Sequence, residues 1–480
     1  MNFTMPDLTP AVPEIFVLGM ACIILVLDLF LSDRQRVVTY WSSLTTLLGA
    51  ALLTWRMAAP DTVYTFNGMF VADPLANALK MITYLVMAVV FLYSRDYLRE
   101  RGLFKGEFFV LGLLGMLGMM IMISSHHFVT VYLGLELLSL TMSAMIAFNR
   151  DSGTASEAAM KFFVLSAISS GILLYGMSIL YGITGSLDIS TVSTYVSNAE
   201  VSNVGLILGL AFVLVGISFK LGVVPFHMWI PDVYEGAPTA VTLFVGTGPK
   251  LAAFALFMRM LADALGGMHA DWQGMLVVLS ILSMGLGSVL AIAQTNIKRM
   301  LGYSTITHVG FILLGILSGT NGGYQAAMFY TITYVLMAAA GFGMVILLSR
   351  KGFEAERIED FKGLNDRNRW FAGMMLFVMF GMAGVPPFVG FWAKWVVLRA
   401  VLNTGLVWLA GLAVFFAIIS AFYYLRVVRC MYFDKPAEDA GPLVAGPEMQ
   451  MALSLNGLLI LFLGLFPGTL MAICQHAIQF

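Results

Sequence analysis

The sequence predicts an all-α polytopic membrane protein of about fourteen transmembrane helices. Sixty per cent of the 480 residues are hydrophobic and only 11% are charged, whereas a soluble domain carries roughly 25% charged residues. The apolar residues form runs of about 20, the length that an α-helix needs to cross a bilayer. These runs lack the strict alternation of apolar and polar residues that is typical of membrane-barrel strands.

The N-terminal apolar run, 11-31, is predicted to be a membrane span and not a cleaved signal peptide. A signal peptide has basic residues before its apolar core, but the first basic residue here, Arg34, follows the run. The predicted spans are 11-31, 37-57, 71-93, 107-124, 127-148, 157-184, 203-234, 239-263, 272-293, 299-318, 323-349, 370-402, 405-431 and 449-474.

Basic residues are unequally divided between the two sets of connections. They are concentrated after odd-numbered spans, whereas the connections on the other side hold only Arg56, Arg259 and Arg399. Because basic connections stay in the cytoplasm, both termini are predicted to lie outside it.

Two short patterns recur at an interval of five helices. AAM occurs at 158–160 and 326–328, and a glycine-proline interruption occurs at 222–226 (GVVPF) and 384–388 (GVPPF). An odd interval means that the two copies cross the membrane in opposite directions, as in many transporters. We therefore expect two inverted five-helix repeats with discontinuous seventh and twelfth helices. Two ordinary proline kinks are the alternative explanation.

The repeat predicts four units. They are an N-terminal three-helix segment at 1-100, a first inverted repeat at 107-265 (spans 4-8), a second inverted repeat at 271-431 (spans 9-13), and a C-terminal loop with the last helix at 432-480.

Five lysines fall within predicted spans: Lys80, Lys161, Lys220, Lys250 and Lys394. A charged side chain at the centre of a bilayer costs about 3 kcal/mol on insertion scales, and such residues usually mark ion or proton pathways. Lys220 and Lys394 each lie beside an interrupted helix, whose freed backbone groups must contact protein or water. Lys80 is a weaker candidate, because it could simply cap its helix.

Glu136, within LGLELLSL, is the clearest acidic partner for these lysines. A lysine can exchange its proton when burial and a nearby carboxylate act on it in opposite directions, whereas an arginine stays charged. Movement of Glu136 relative to Lys220 would therefore switch proton binding. A static Lys–Glu pair that only holds two helices together is the alternative.

Two histidines complete the candidate residues. His308 lies in STITHVGF on the tenth span, between the lysines of the two halves, and His227 follows the first interruption. A histidine in a membrane helix can carry protons, or it can form a helix–helix hydrogen bond.

The sequence carries no recognised motif for a cofactor. The three cysteines are far apart, which argues against a disulfide framework, an iron–sulfur cluster or a zinc site. GxGxxG and GxxxxGK[ST] phosphate loops are lacking, and the net charge of -1 argues against a nucleic-acid partner.

Taken together, these residues resemble a known family. Glu136, Lys161, Lys220 beside GVVPFHMWIPDVYEGAPT, Lys250, and Lys394 at the end of GVPPFVGFWAKW are similar to the antiporter-like subunits of respiratory complex I. They also resemble the large subunits of multisubunit sodium/proton antiporters. The likeness covers about residues 70 to 430.

The resemblance implies a proton-translocating membrane-arm subunit of an NADH:quinone oxidoreductase, a translocase that couples electron transfer to proton pumping. Glu136 and Lys220 would form the switch pair, Lys250 and His308 the central relay, and Lys394 the end of the second half-channel. Beside these residues, Lys161 is expected to tune or pair with the other lysines because it lies nearer the start of its span, and His227 is a further candidate proton carrier near the membrane surface. A large subunit of a sodium/proton antiporter is the alternative function, and a purely structural scaffold is a third.

The resemblance also implies the surroundings of the chain. FMN, iron–sulfur clusters, NADH and quinone would be bound in or with other subunits. The expected partners are the neighbouring antiporter-like subunit, the small membrane subunits and membrane lipids. The expected location is the bacterial inner membrane, with both termini periplasmic.

Overall fold

The chain folds into a bundle of membrane-spanning α-helices in a computed structural model, which describes residues 6–58, 61–198, 203–436, 443 and 446–479. Thirteen helices in these ranges are long and apolar enough to cross a membrane. The twelfth predicted span is divided into two shorter helices of 15 residues each. The all-α polytopic fold is therefore confirmed.

The helices and strands have the following bounds. The first ten helices are α1 (Val12–Asp28), α2 (Val37–Met57), α3 (Pro74–Glu100), α4 (Gly106–Ile123), α5 (Phe128–Ile146), α6 (Gly153–Thr184), α7 (Ile189–Asn198), α8 (Val204–Leu221), α9 (Trp229–Gly236) and α10 (Thr239–Gly246). The others are α11 (Gly248–Phe257), α12 (His269–Ile292), α13 (Ile297–Leu317), α14 (Asn321–Leu348), α15 (Leu364–Arg367), α16 (Arg369–Ala383), α17 (Val389–Asn403), α18 (Val407–Phe433), α19 (Pro447–Leu465) and α20 (Gly468–Ala477). A π-helical segment covers Met258–Ala264, and the strands are β1 (Val63–Thr65) and β2 (Phe70–Ala72).

Polar side chains start several of the helices. Asp73 accepts a hydrogen bond from the Ala76 N–H at the start of α3, and Asn203 does the same for α8. Such caps satisfy N–H groups that have no partner in the first helical turn. Because these residues flank the apolar runs directly, the helices begin close to the predicted boundaries.

Glycines end the first halves of the seventh and twelfth spans. Gly222 closes α8 with φ +89°, and Gly384 closes α16 with φ +85°. In both places the next residue returns a hydrogen bond to the preceding helix, from Val223 N to Ser218 O (3.0 Å) and from Val385 N to Phe380 O (2.9 Å). This is the Schellman arrangement, which favours glycine because of its left-handed backbone. The predicted discontinuities are therefore confirmed.

The eighth, tenth and eleventh spans form the centre of the bundle. The apolar stretches of Thr239–Ala264, α13 and α14 are buried, whereas α1 and α18 are largely exposed at the surface. Exposed apolar side chains such as Ile168 and Ile418 cover the outside, as a lipid-facing surface requires.

Connections predicted on the same side of the membrane lie together. On the basic side, Arg101 pairs with Glu354, and Lys298 Nζ lies 2.7 Å from Glu356. On the opposite side, a β-bridge joins His127 to Asp188. These contacts fit an alternating path of the chain through the membrane.

Several elements depart from the predicted spans. The 10-residue helix α7 and the β1–β2 hairpin, which pairs Tyr64 with Val71, lie in connections. The last predicted span is two helices, α19 and α20, interrupted at Phe466 and Pro467. Helix α7 and the hairpin strands were not predicted because each is too short to produce a membrane-length apolar run. The interruption at Phe466 and Pro467 was not predicted because apolar residues continue on both sides of it.

Candidate functional site

Lys220 lies in the last turn of α8, two residues before the break. Its partly buried ammonium group donates hydrogen bonds to Ser139 on α5 (2.9 Å) and to Ser166 (2.8 Å) and Ser170 (3.2 Å) on α6. The three partners are neutral hydroxyl groups, which can both accept and donate hydrogen bonds. The lysine therefore sits in a hydroxyl cage and not in an ion pair.

Glu136 lies one turn before Ser139 on α5. The side chain is partly buried, and its Oε1 is enclosed without a hydrogen-bond partner among the described residues. Lys220 and Glu136 are not within ion-pair distance. A static Lys220–Glu136 pair is thus not formed in this conformation.

Lys250 contacts the break in the seventh span from the start of α11. Its buried Nζ donates a 2.8 Å hydrogen bond to the carbonyl of Leu221, the last residue of α8. The same Nζ lies 5.2 Å from the centroid of the Trp229 ring. The break thus leaves a carbonyl free at the C-terminal end of a helix, where a cation is favoured.

Lys394 occupies the corresponding position at the break in the twelfth span. Its buried Nζ donates a 2.7 Å hydrogen bond to the carbonyl of Ala383, the last residue of α16. It also lies 5.4 Å from the centroid of the Phe311 ring. Lys250 and Lys394 therefore make the same contact in the two halves, although they come from different elements.

Trp229, the first residue of α9, borders Lys220 and Lys250. It lines a cavity of about 20 Å³ together with Lys220, Ser139 and Pro249. This volume has room for about one water molecule. Because the Lys250 ammonium group also faces Trp229, the Trp229 ring adjoins both the cavity at Lys220 and Lys250.

His308 lies at the centre of the second half. Its buried ring is held between the hydroxyl groups of Tyr330, 2.8 Å from Nδ1, and Tyr424, 2.9 Å from Nε2. Tyr424 is also hydrogen-bonded to Ser304. A neutral imidazole has one donor and one acceptor nitrogen, so one tyrosine donates to the ring and the other accepts from it.

The histidine cluster approaches Lys394 through one aromatic ring. Phe311 stacks on Tyr330 with ring centroids 5.9 Å apart and planes 6° from parallel. The ammonium group of Lys394 faces the same Phe311 ring. His308 and Lys394 therefore belong to one site.

Lys161 differs from its predicted environment, because it is exposed. It pairs with Asp232 and Glu157, each at 2.8 Å, along a polar cleft of about 620 Å³. The 32-residue helix α6 explains this position, since about 48 Å of helix exceeds the ~30 Å hydrocarbon layer and projects beyond it.

His227 is half-buried within the break of the seventh span, beside exposed Pro225 and Met228. Its Nδ1 is enclosed and has no hydrogen-bond partner in the described ranges. No hydrogen bond joins it to a lysine among the described residues, so this conformation does not link His227 to Lys220 or Lys250.

Lys80 is ion-paired and does not simply cap its helix. Its Nζ lies 2.5 Å from Glu14 on α1, and both side chains are buried. This pair ties α1 to α3 within the N-terminal segment. It is the kind of static ion pair that was the alternative explanation for Lys220 and Glu136.

Arg259, predicted in a connection, is instead buried in the π-helical end of the eighth span. It contacts Asp73 at 2.8 Å and Asp263 at 3.0 Å. Burial acts to raise the pKa of Asp73, but the Arg259 charge and its hydrogen bonds hold that pKa below the ordinary value.

The hydroxyl partners of the lysines and the histidine were not predicted. Ser166 and Ser170 are four residues apart and share one face of α6, which was a usable signal. Tyr330 and Tyr424 are 94 positions apart, and only the packing of α13, α14 and α18 brings them to His308. Among the described residues, no group of three or more His, Cys, Asp or Glu side chains is arranged to hold a metal ion.

Comparisons with known proteins match the whole chain. The family described as NADH:quinone oxidoreductase/Mrp antiporter, TM, matches residues 125–420. NADH-quinone oxidoreductase subunit N of Thioalkalivibrio sulfidiphilus is 62% identical over 480 residues, covering all of both chains. The Thiobacillus denitrificans subunit N is 54% identical, covering 100% of this chain and 99% of that protein.

Solved structures show the same fold. A chain of respiratory complex I from Thermus thermophilus has a TM-score of 0.82 and 29% identity, covering 96% of this chain and 98% of that one. A chain of the Mrp complex from Dietzia has a TM-score of 0.85 at 20% identity, covering 98% and 97%; at that identity the likeness concerns the fold alone. The predicted resemblance is confirmed, and the chain belongs to the NADH:quinone oxidoreductase/Mrp antiporter transmembrane family, in its subunit N branch.

Proposed function

We propose that this chain is a proton-translocating subunit in the membrane part of an NADH-quinone oxidoreductase. Its full-length relatives, 53–62% identical, carry the name NADH-quinone oxidoreductase subunit N. The role of such a subunit is to couple NADH-to-quinone electron transfer to proton movement. The flavin, iron–sulfur clusters, NADH site and quinone site belong to other subunits of the complex.

The hydrogen-bond partners of Lys220, Lys250 and Lys394 support proton transfer. Lys220 is held by serine hydroxyl groups, and Lys250 and Lys394 by one backbone carbonyl each. A lysine kept as static glue needs a carboxylate, because an uncompensated charge in the membrane is costly. Neutral partners can instead bind either the ammonium or the amine, so each lysine is free to take up and release a proton.

Glu136 supplies the switch. Its unpartnered oxygen lies on the helix that also carries Ser139, one of the Lys220 partners. Movement of the carboxylate toward Lys220 would stabilise the ammonium form, and movement away would release the proton toward Lys250. The Trp229 ring adjoins both lysines, because it lines the cavity at Lys220 and faces the ammonium group of Lys250.

His308 with its two tyrosines carries the proton through the second half. A proton arriving at the Tyr330 oxygen releases that hydroxyl's own proton to Nδ1, while the Nε2 proton passes to the Tyr424 oxygen. The hydroxyl proton of Tyr424 then moves to Ser304 as Ser304 passes its own hydroxyl proton on to a water molecule. One proton enters at Tyr330 and one leaves at Ser304, so the unit holds no extra charge, and the ring must return to its first tautomer before the next proton passes.

The functional units follow the helix breaks. Residues 107-265 form the half that contains Lys220 and Lys250, and residues 271-431 the half that contains His308 and Lys394. Segment 1-100 is joined to the first half through α3, and 432-480 supplies the last span. Within the described ranges, Lys161 and His227 are not hydrogen-bonded to Lys220, Lys250 or Lys394. Lys161 would act only at the polar cleft, where it pairs with Asp232.

Replacing Lys220 or Glu136 with alanine tests this function. We expect proton translocation by the assembled complex to fall roughly tenfold. This loss is smaller than the ~100-fold effect of removing a lone proton carrier, because the three serine hydroxyl groups around the Lys220 position remain and can bind water there. The measurement is NADH-driven acidification of inside-out vesicles, normalised to assembled complex. Lys105→Ala, an exposed lysine, is the matched control. Normal pumping by both test variants would show that the lysine–glutamate switch is wrong.

We also propose that the chain lies in the bacterial inner membrane with both termini in the periplasm. The basic connections, including Arg101 and Arg357, cluster at one end of the bundle and would face the cytoplasm. Tags at either terminus should react with an impermeant reagent in intact spheroplasts, whereas a tag after Lys351 should react only after lysis. Cytoplasmic reactivity of either terminus would reverse this orientation.

A further inference from the structure

A basic groove lies where α12 and α18 end on the basic side of the bundle. It has a volume of about 650 Å³, and its charged lining is Arg357, Lys362, Arg426, Arg429, Glu359 and Asp434. Lys362 lies 3.4 Å from Glu359 and offsets that carboxylate. Three arginines and one aspartate remain, so the groove is positive overall.

Two of the arginines are available to a ligand. Arg429 and Arg357 are exposed, and Arg429 makes no ion pair or hydrogen bond within the described residues. Arg426 has a structural task, since its guanidinium donates to the Ile292 carbonyl (2.8 Å) and to that of Gln294. Its Nε is nonetheless buried and has no partner in the described ranges.

Lipid-facing stripes lead from the bilayer to this groove. On α18, Phe415, Ile418, Phe422 and Leu425 are 47–68% exposed. Their spacing of three and four residues keeps them on one face, and Arg429 continues this face one turn further. An exposed arginine thus stands directly above an apolar stripe.

A second stripe runs beside the first. On α12, Val278, Leu282, Leu286 and Val289 are exposed and share one face by their spacing. The two helices pack together at Gly285, where the Phe416 ring fills the space of a side chain. The stripes therefore flank one helix–helix contact, below one basic groove.

We propose that this groove binds the headgroup of an anionic phospholipid. The arginines would hold the phosphodiester, because guanidinium groups pair with phosphate oxygens through two parallel hydrogen bonds. The acyl chains would lie along the stripes of α12 and α18. Basic pockets between membrane helices bind anionic headgroups in this way, and the adjoining apolar stripes favour a lipid over free phosphate.

The test compares lipids retained by the purified whole complex. Arg357→Gln with Arg429→Gln should lower the anionic phospholipid counted by mass spectrometry by about one molecule per complex. The control pair Arg34→Gln with Arg150→Gln, exposed arginines of other connections, should retain it. Equal retention by both pairs would overturn the proposal.

A photoactivatable anionic phospholipid shows whether the groove binds a lipid headgroup or free phosphate. In nanodiscs containing the complex, it should label α12 and α18 in the wild type but not in the Arg357→Gln, Arg429→Gln pair. Millimolar inorganic phosphate should not compete. Full competition by phosphate, or protection of the groove by an acidic segment of a neighbouring subunit, would each refute a lipid site. Proton pumping is not a readout, so this result is independent of the proposed function.

Discussion

Replacing Lys394 with alanine is expected to lower proton translocation by about 100-fold, the scale of losing one positioned proton-transfer group. The reason is the environment of Nζ, whose hydrogen bond in the described ranges goes to the Ala383 carbonyl and which faces the Phe311 ring. Neither group can replace the lysine as a proton carrier, and within those ranges no hydroxyl group is hydrogen-bonded to Nζ as the serines are to Lys220. The measurement is NADH-driven acidification of inside-out vesicles, at equal amounts of assembled complex.

Lys394→Arg separates a proton carrier from a structural cation. Arginine keeps the charge and can still donate to the freed carbonyl at the end of α16, but it does not release its proton. The carrier role predicts that the arginine variant assembles and fails to pump. A structural role predicts that it pumps like wild type, and that result would refute Lys394 as a carrier. Lys351→Ala, in an exposed connection, controls for the loss of a lysine.

The spans and both helix breaks were predictable because their signals are local. An apolar run of membrane length has one favourable structure in lipid, so α3 and α13 begin within a few residues of their predicted starts. Gly222 and Gly384, each followed by proline, end a helix by chemistry contained in about five residues. The interval of five helices then indicated the inverted relation of the halves.

The internal contacts of the site were less predictable, because they join distant elements. Composition placed Lys250 and Lys394 in the membrane, but not their shared contact with the last carbonyl before a break. Lys80 was an isolated lysine in the sequence, and its partner Glu14 lies 66 positions away, on another helix. Pairing of this kind depends on which helix faces touch, and a single sequence does not specify them.

Lys161 illustrates a different limit. Its position within an apolar run predicted a lysine inside the membrane, but hydropathy does not define how far a long helix projects beyond the bilayer. Helix α6 begins at Gly153, one turn before the predicted start of its span. Asp232 on α9 forms an ion pair with Lys161 near that end. A helix longer than the hydrocarbon thickness leaves its ends in a polar setting.

The histidine relay gives the second large effect. His308→Gln is expected to reduce proton translocation by about 100-fold, because glutamine keeps hydrogen-bonding groups but cannot exchange a proton between two ring nitrogens. Tyr424→Phe should reduce it about tenfold, since the hydroxyl group next to Nε2 is lost while the ring still fills its space. Both variants are measured as acidification per assembled complex, in H₂O and in D₂O.

Tyr334→Phe is the matched control for Tyr424→Phe. Tyr334 lies in the same buried cluster, with its ring 5.1 Å from that of His308, but its hydroxyl group bonds Thr305 and not the histidine. Removing it perturbs the core by one hydroxyl group without interrupting the relay, so Tyr334→Phe should pump at close to the wild-type rate. If Tyr424→Phe and Tyr334→Phe pump equally, the proton does not pass through Tyr424. If Lys394→Ala still fails in that case, Lys394 remains a proton carrier and only the step from His308 to Tyr424 is wrong.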